Sequence, residues 1–235
     1  MIVLTLAGDS KRFFEVGFTD VKYKLVYNGK YILESILDYI SREKKILIVT
    51  NEKFKDELFC NKLLGKMGFE NFRVVEIQNT KGQLETLING LLKSKDFYDY
   101  EEALTVFNGD TIRKSKLWDG FEGDGYIEVF ESEGSHWSFV DKIGKVNRVV
   151  EKNRISNFCS SGLYYFKKVS MVLNNYEEYK NTGIQEAELF IAPFYNFLIK
   201  KNLNIYSSKL ELKSFVFCGT PSEYYNSILS IEKEI

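Results

Sequence analysis

Four short apolar runs punctuate the first half of the chain: "IVLTLA" at 2–7, "KILIVT" at 45–50, "FRVVEI" at 72–77 and "ALTVFN" at 103–108. Runs of this length with little polar alternation read as strands covered on both faces. Between them apolar residues recur at helical spacing, first Ile32, Leu33, Ile36, Leu37 and Ile40, then Leu84, Leu87, Ile88, Leu91 and Leu92. The alternation predicts a parallel sheet with right-handed crossover helices packed on it.

After residue 123 the period shortens. "GYIEVFES", "HWSFVDK", "KVNRVVEK" and "SSGLYYFK" alternate like hairpin strands and are separated by glycine-containing turns. They are expected to extend the sheet and build the second wall of a cleft. Residues 185–200 return to helical spacing, with Pro193 marking a kink or a fresh helix start. "LKSFVFCG" (212–219) reads as a last strand, followed by Thr220 and Pro221 at an N-cap and first-turn position. No repeat or linker interrupts the pattern, so the 235 residues predict a single α/β domain.

Charge narrows the function. With 32 Lys and Arg against 33 Asp and Glu, the formal net charge is −1, which offers no general attraction to nucleic acid or to an anionic membrane. Anion binding must come from a local site. Cys60, Cys159 and Cys218 are far apart and odd in number, as expected of reduced core thiols in a cytoplasmic protein. No targeting pattern and no apolar run of membrane-spanning length is seen. His136 is the single histidine, which speaks against a zinc cluster or a Ser-His-Asp triad and leaves the chemistry to carboxylates, Lys and Arg.

The turn after the first strand carries Gly8, Ser10 and Arg12. A glycine there serves backbone needs in many α/β folds, yet tight-turn N–H groups with one guanidinium can also grip a triphosphate. Thr80-x-x-Gln83 can be a capping box opening the Leu84 helix, a role compatible with base contact. Asp110 follows a strand of a parallel sheet, where ligands collect, and alone could equally be a turn aspartate.

In order, "LAGDSKRF", "GFTDVKYKLVYNGKYILE", "NTKGQLETL", "VFNGDTI", "VVEKNRISNFCSSGLYYFK", "ELFIAPFYNFLI" and "FCGTPSEYY" resemble the signature segments of sugar-phosphate-type nucleotidyltransferases, nearest to the small bacterial capsule and lipopolysaccharide branch. The resemblance runs from residue 1 to about 225. It implies a Rossmann-like three-layer α/β/α mixed sheet of the GT-A-like kind, with residues 1–122 as the nucleotide-binding half and 123–235 as the acceptor-binding half.

By the same resemblance Leu6, Ala7, Gly8, Asp9 and Ser10 wrap the nucleotide phosphates, with Ser10 standing where the relatives have a second glycine. Arg12 neutralises the β- and γ-phosphates. Lys22 is the activating lysine, with Lys24 as the alternative. Thr80, Gly82 and Gln83 read the base, and Asn108 and Gly109 lead to Asp110, the ligand of the Mg²⁺ cofactor. Glu151, Lys152, Ser160, Ser161, Gly162, Tyr164, Glu188 and Asn196 fall on the acceptor side, while Phe190, Phe194 and Phe197 are expected in the core. His136 and Trp137 lie near the acceptor lobe and are expected to be buried rather than stacked on ligand. Many relatives carry an aspartate two residues before Gly-Thr-Pro, completing a metal pair, and this chain has Phe217; either another carboxylate serves or one metal suffices.

The implied reaction is NTP plus a small phosphorylated acceptor giving a diphosphate-linked product and pyrophosphate. Segments of the second half are similar to the capsule group that includes phosphoglutamine cytidylyltransferase, which points to CTP in capsule or surface-polysaccharide synthesis. UTP or dTTP with a sugar 1-phosphate is the alternative. A glycosyltransferase of related fold would use a DxD metal motif that is missing, since Asn108 precedes Asp110 by two; a catalytically silent nucleotide-binding module would keep the pocket without turnover. Oligomeric state is left open, a homodimer included.

Overall fold

The computed structural model describes residues 1–116, 121–181 and 188–232. The first half runs β1 (Ile2–Thr5), α1 (Lys11–Glu15), a 3₁₀ turn (Lys22–Lys24), the hairpin β2 (Val26–Tyr27) and β3 (Lys30–Tyr31), α2 (Ile32–Leu37), β4 (Ile46–Asn51), α3 (Glu57–Lys66), β5 (Phe72–Ile77), α4 (Gln83–Lys93), β6 (Leu104–Asn108) and β7 (Thr111–Arg113). The second half runs β8 (Gly125–Glu131), β9 (Ser138–Val140), β10 (Gly144–Lys145), β11 (Val149–Glu151), β12 (Phe158–Phe166), α5 (Val169–Asn181), α6 (Ile191–Lys200), β13 (Ile205–Lys209), β14 (Phe215–Phe217) and α7 (Pro221–Glu232).

One mixed sheet organises these elements, in the order β10-β13-β8-β12-β6-β1-β4-β5, with β9 and β11 paired and β9 joined to β12. β6, β1, β4 and β5 are parallel, and β12 is antiparallel to both β6 and β8. Helices cover both faces. Val3 packs with α4 and α6 residues on one side, while Ile2 and Leu4 pack with α2 and α3 residues on the other. The uninterrupted apolar runs follow from this double burial: Ile46, Leu47, Ile48 and Val49 are all fully enclosed.

Several expectations shift in detail. The first strand ends at Thr5, although Leu6 and Ala7 stay buried and the Leu6 N–H still reaches the Val49 carbonyl at 2.8 Å. The Ile32 stripe is a short helix ending at Leu37, with Ile40 buried beyond it. Of 212–219 only Phe215–Phe217 is strand; Leu212–Ser214 is a 3₁₀ turn. Within the 185–200 stretch, 185–187 lie outside the described residues and α6 begins at Ile191, placing Pro193 in its first turn, where a missing N–H costs no intrahelical bond. Thr220 and Glu223 form a reciprocal capping box at the start of α7: the Thr220 N–H donates to Glu223 Oε2 at 2.9 Å and the Glu223 N–H to Thr220 Oγ1 at 3.2 Å. Among the described residues no helix is long and apolar enough to cross a membrane.

All three cysteines are free and buried. Desolvation pushes the thiols of Cys60 and Cys218 up to about 12 and raises that of Cys159. A thiol-reactive chromophore at pH 8 should therefore label the native protein slowly and the three thiols rapidly only after denaturation; fast native labelling would contradict the packing.

Candidate active site

The carboxyl ends of β1 and β6 open into a cleft with two connected parts, cavities of about 350 Å³ and about 600 Å³. Brought together in the smaller part are Ala7, Gly8, Asp9, Lys22, Thr80, Gly82, Gln83, Asn108, Gly109 and Asp110. The larger part shares Gly8, Asp9, Lys22, Asn108, Asp110 and Glu188 with it and adds Ser10, Arg12, Glu151 and Lys152.

The turn after β1 is shaped by few constraints of its own. A Cβ on Gly8 would meet nothing within 4 Å, so the fold does not demand glycine there; the space left open belongs to the cleft. Ser10 adopts the left-handed conformation, φ 51° and ψ 22°, which glycine takes freely and other residues seldom do. At Gly109 a Cβ would overlap Leu6 Cδ2, so any larger residue there displaces the Leu6 side chain, which fills the space behind the turn. Leu6 is 2% exposed and supports the cleft without lining it.

Of the two lysines, Lys22 faces the cleft, its ammonium paired with Asp110 Oδ2. Lys24 does not. Its ammonium is held by Asp56 Oδ1, and the Tyr23 hydroxyl donates to Asp56 Oδ2 at 2.5 Å. Asp110 is fixed from behind by the Cys218 N–H, which donates to its carbonyl at 2.8 Å, and by β7, which pairs with β14.

The Thr80–Gln83 capping box is not formed. Gly82 sits at the N-cap of α4, the Thr80 hydroxyl pairs with Thr86 at 2.7 Å, and Glu85 accepts the Lys81 N–H at 2.6 Å. Gln83 instead donates to Thr5 Oγ1 at 3.0 Å, tying α4 to β1 at the cavity floor. Gly82, at φ 151°, passes so near the chain at Leu189 that a Cβ would lie 2.6 Å from its carbonyl oxygen. That close crossing, with Leu84 N–H on the Leu189 carbonyl at 2.9 Å, joins the two walls of the cleft.

On the other wall, several acceptor-side candidates lie beneath the surface. Ser160 and Tyr164 are buried, and neither these two nor Gly162 lines the cleft. Ser160 Oγ accepts the Gly162 N–H at 3.1 Å within a bulge of β12, and Gly162, at φ 88°, lets the Asn108 side chain lie against it. Burial pushes the Tyr164 phenol up to about 12. Ser161 donates to Glu128, and Asn196 clamps Val149, accepting its N–H at 2.8 Å and donating to its carbonyl. Both are scaffold.

Other residues move the opposite way. Phe190, expected in the core, lines both cavities with the Lys152 ammonium 4.4 Å over its ring; Phe194 and Phe197 are core as read. His136 and Trp137, expected to be buried, line the larger cavity, their rings 4.3 Å apart, with Phe217 4.9 Å from Trp137. Asn79, Thr86 and Glu223 also line the cleft and were missed. For Glu223 the available signal was the Thr220-x-x-Glu223 spacing, a capping-box pattern that marks a helix start and not a site. Glu223 Oε2 and Asp110 Oδ2 lie 3.2 and 3.4 Å from where a Cβ on Gly219 would sit, so the two carboxylates flank the same small space over this glycine.

Among the described residues no three Asp, Glu, His or Cys side chains converge on a metal position. The donors present still suit a hard cation: the Asp110 carboxylate, and beside it the buried Asn108 Oδ1, which has no hydrogen-bond partner. Mg²⁺ is commonly held by one or two carboxylates with substrate phosphates completing its shell.

No protein-family model and no curated protein matches the chain. Solved structures do. An inositol-1-phosphate CTP transferase from T. maritima (TM-score 0.71, 14% identity, 100% of this chain and 96% of that one) and a UDP-glucose pyrophosphorylase complexed with UDP-glucose (TM-score 0.72, 16% identity, 100% and 98%) share its fold. A nucleoside-diphosphate-sugar pyrophosphorylase from Vibrio cholerae RC9 matches with a TM-score of 0.91 at 35% identity, over 97% of this chain and 100% of that one. The architecture is thus that of the sugar-phosphate nucleotidyltransferases. The chain belongs to their nucleoside-diphosphate-sugar pyrophosphorylase family.

Proposed function

We propose that the protein transfers a nucleoside monophosphate from an NTP to a small phosphorylated acceptor, with release of pyrophosphate. The observation that carries this reading is the juxtaposition in one cleft of the open turn at Gly8, Arg12, Lys22 and Asp110, with Lys152 on the opposite wall. Triphosphate oxygens would lie along the turn, the base near Gln83 and Thr80, and the acceptor between Lys152, Glu188 and the Trp137–Phe217 wall.

A phosphate monoester is already a nucleophile at neutral pH, its second ionisation lying at about 6. An acceptor oxygen attacks the α-phosphorus in line, the bond from that phosphorus to the β-bridging oxygen breaks, and pyrophosphate leaves with the electron pair. No proton need move, so no general base is required. Arg12 offsets charge on the departing pyrophosphate, and Lys22, released from Asp110, offsets charge on the reacting phosphates. Asp110, with the Asn108 oxygen beside it and Glu223 across Gly219, would hold Mg²⁺, which supplies Lewis-acid neutralisation of phosphate oxygens when bound.

CTP as donor, a phosphoglutamine-like acceptor and a place in capsule synthesis rest on the second-half segments of the sequence, "EKNRIS", "SSGLYYF" and "FIAPFYN". The 35% identical neighbour, a nucleoside-diphosphate-sugar pyrophosphorylase, supports a sugar phosphate as acceptor and so the second reading, in which UTP or dTTP is the donor. Pyrophosphate release measured with CTP, UTP and dTTP, each against phosphoglutamine and glucose 1-phosphate, separates them. The cytidylyl reading expects CTP with phosphoglutamine to be fastest; turnover confined to UTP or dTTP with the sugar phosphate would replace it with the second.

The two lysines should part company. Lys22→Ala is expected to cut turnover by about 10²-fold with little change in melting temperature. Lys24→Ala should instead cost about 2 kcal/mol of stability, because it leaves the buried Asp56 carboxylate without its cation. Paired kinetic and thermal-melt measurements on both variants check the assignment; the reverse pattern would move the role to Lys24.

A further inference from the structure

Val21 precedes the Lys22–Lys24 turn from an N-cap position, and its side chain has no oxygen to satisfy the free N–H groups there. The Lys22 N–H is taken by Ser10, twelve residues earlier, whose Oγ accepts it at 3.1 Å. Ser10 makes this bond from the left-handed conformation, which glycine adopts freely and serine seldom does. Glycine would meet the backbone requirement with less strain, so what serine adds at this position is its oxygen. The far end of the same turn is held as well, by Tyr23 and Lys24 on Asp56, which is 1% exposed. Between these two anchors Lys22 extends its ammonium into the cleft.

We propose that Ser10 is a positioning residue for Lys22. By capping the turn that carries the lysine, it joins Lys22 to the loop that faces the nucleotide phosphates, so that a ligand ordering residues 8–12 orders Lys22 with them. The inference rests on the role given to Lys22 in nucleotidyl transfer. It differs from an ordinary phosphate contact because the Ser10 hydroxyl acts on the protein, at the Lys22 amide, and not on the substrate.

Ser10→Gly and Ser10→Ala separate this from a merely structural role. Glycine relieves the backbone strain and alanine keeps it, while both remove the oxygen. The proposal expects kcat to fall roughly five- to tenfold in both variants, with KM for the triphosphate within about twofold of the parent. It expects the melting temperature of the glycine variant to be unchanged or raised and that of the alanine variant to be lowered. A structural role alone would let Ser10→Gly turn over like the parent. Hydrogen exchange at the Lys22 amide, read by NMR, needs no activity: protection in the parent should be lost in Ser10→Gly. Parent-like kcat in Ser10→Gly, or unchanged exchange at Lys22, overturns the proposal. Should the parent release no pyrophosphate with any donor, the transfer reading fails, and the exchange measurement still decides whether Ser10 caps the turn.

Discussion

Asp110→Ala is expected to lower pyrophosphate release by about 10²–10³-fold or more while leaving the folded state nearly as stable as the parent. The two halves of this expectation have separate causes. Asp110 is the carboxylate that the end of β6 and the start of β7 deliver to the centre of the cleft, next to the unpartnered Asn108 oxygen and opposite Lys22. Its removal takes away the acid group placed to hold a cation against the triphosphate. The Lys22–Asp110 pair, with side chains 24% and 17% exposed, stands at the wall of an open cleft, where the Lys22 ammonium freed by the substitution can turn to water instead of remaining buried without a counter-charge. Steady-state assay and thermal melt on one preparation check both halves. Unchanged rates would remove Asp110 from the mechanism; a large fall in melting temperature would give it a structural role instead.

The largest effect on stability should come from Glu128→Ala. Glu128 is 1% exposed on β8 and receives three hydrogen bonds of 2.9–3.1 Å from the Arg113 guanidinium, with a fourth from Ser161 at 3.0 Å. Arg113 lies on β7, three residues beyond Asp110, so the pair fixes the metal-candidate strand to the main sheet. Truncation leaves a buried guanidinium without its counter-charge, expected to cost about 3–5 kcal/mol, a large part of the 5–15 kcal/mol typical of a folded domain. The double variant Arg113→Met with Glu128→Leu should lose less, because an apolar pair of similar volume carries no desolvation penalty. Urea denaturation of the three proteins measures this; a single variant as stable as the parent would show the pair to be dispensable.

How far the sequence disclosed this molecule depended on what each element buries. β4 and β6 were legible because both faces are covered and apolar residues occupy both, Ile46 to Val49 in one and Leu104, Val106 and Phe107 in the other. α4 was legible because one face alone is buried, through Leu84, Leu87, Ile88 and Leu91. α3 and β13 were not. α3 buries only Cys60, Leu63 and Leu64, too few to mark a period, and β13 reads "IYSSK", a strand made interior by its neighbours β8 and β10 rather than by its own hydrophobicity. Ser207, 4% exposed, is accommodated there because its hydroxyl donates to the Lys142 carbonyl at 2.9 Å.

The cleft followed the same logic. Residues on the loops after β1 and β6 were reachable by segment resemblance, because the chain leaves a parallel strand at the edge where ligands bind. The opposite wall was read less well. Tyr164 and Ser160 lie in a strand covered on both faces, with only Phe158 and Tyr165 half-buried, and no residue of β12 lines the cleft; its neighbours in the sheet decide this, a detail with no local signature. Trp137 and Phe190 were assigned to the core by their side chains, although their loops bring them to the cavity. Glu223 went unread: its spacing from Thr220 is a capping-box pattern, which marks a helix start and gives no sign of the position beside Asp110.

Transfer of a nucleoside monophosphate to a phosphate acceptor can be followed by ³¹P NMR of the intact protein with Mg²⁺, each NTP and the phosphorylated acceptors in turn. Nucleotidyl transfer requires, for one combination, equal growth of pyrophosphate and of a new diphosphate-bridged product, dependent on the acceptor. Consumption of NTP without that bridged product, or no reaction with any combination, would contradict it.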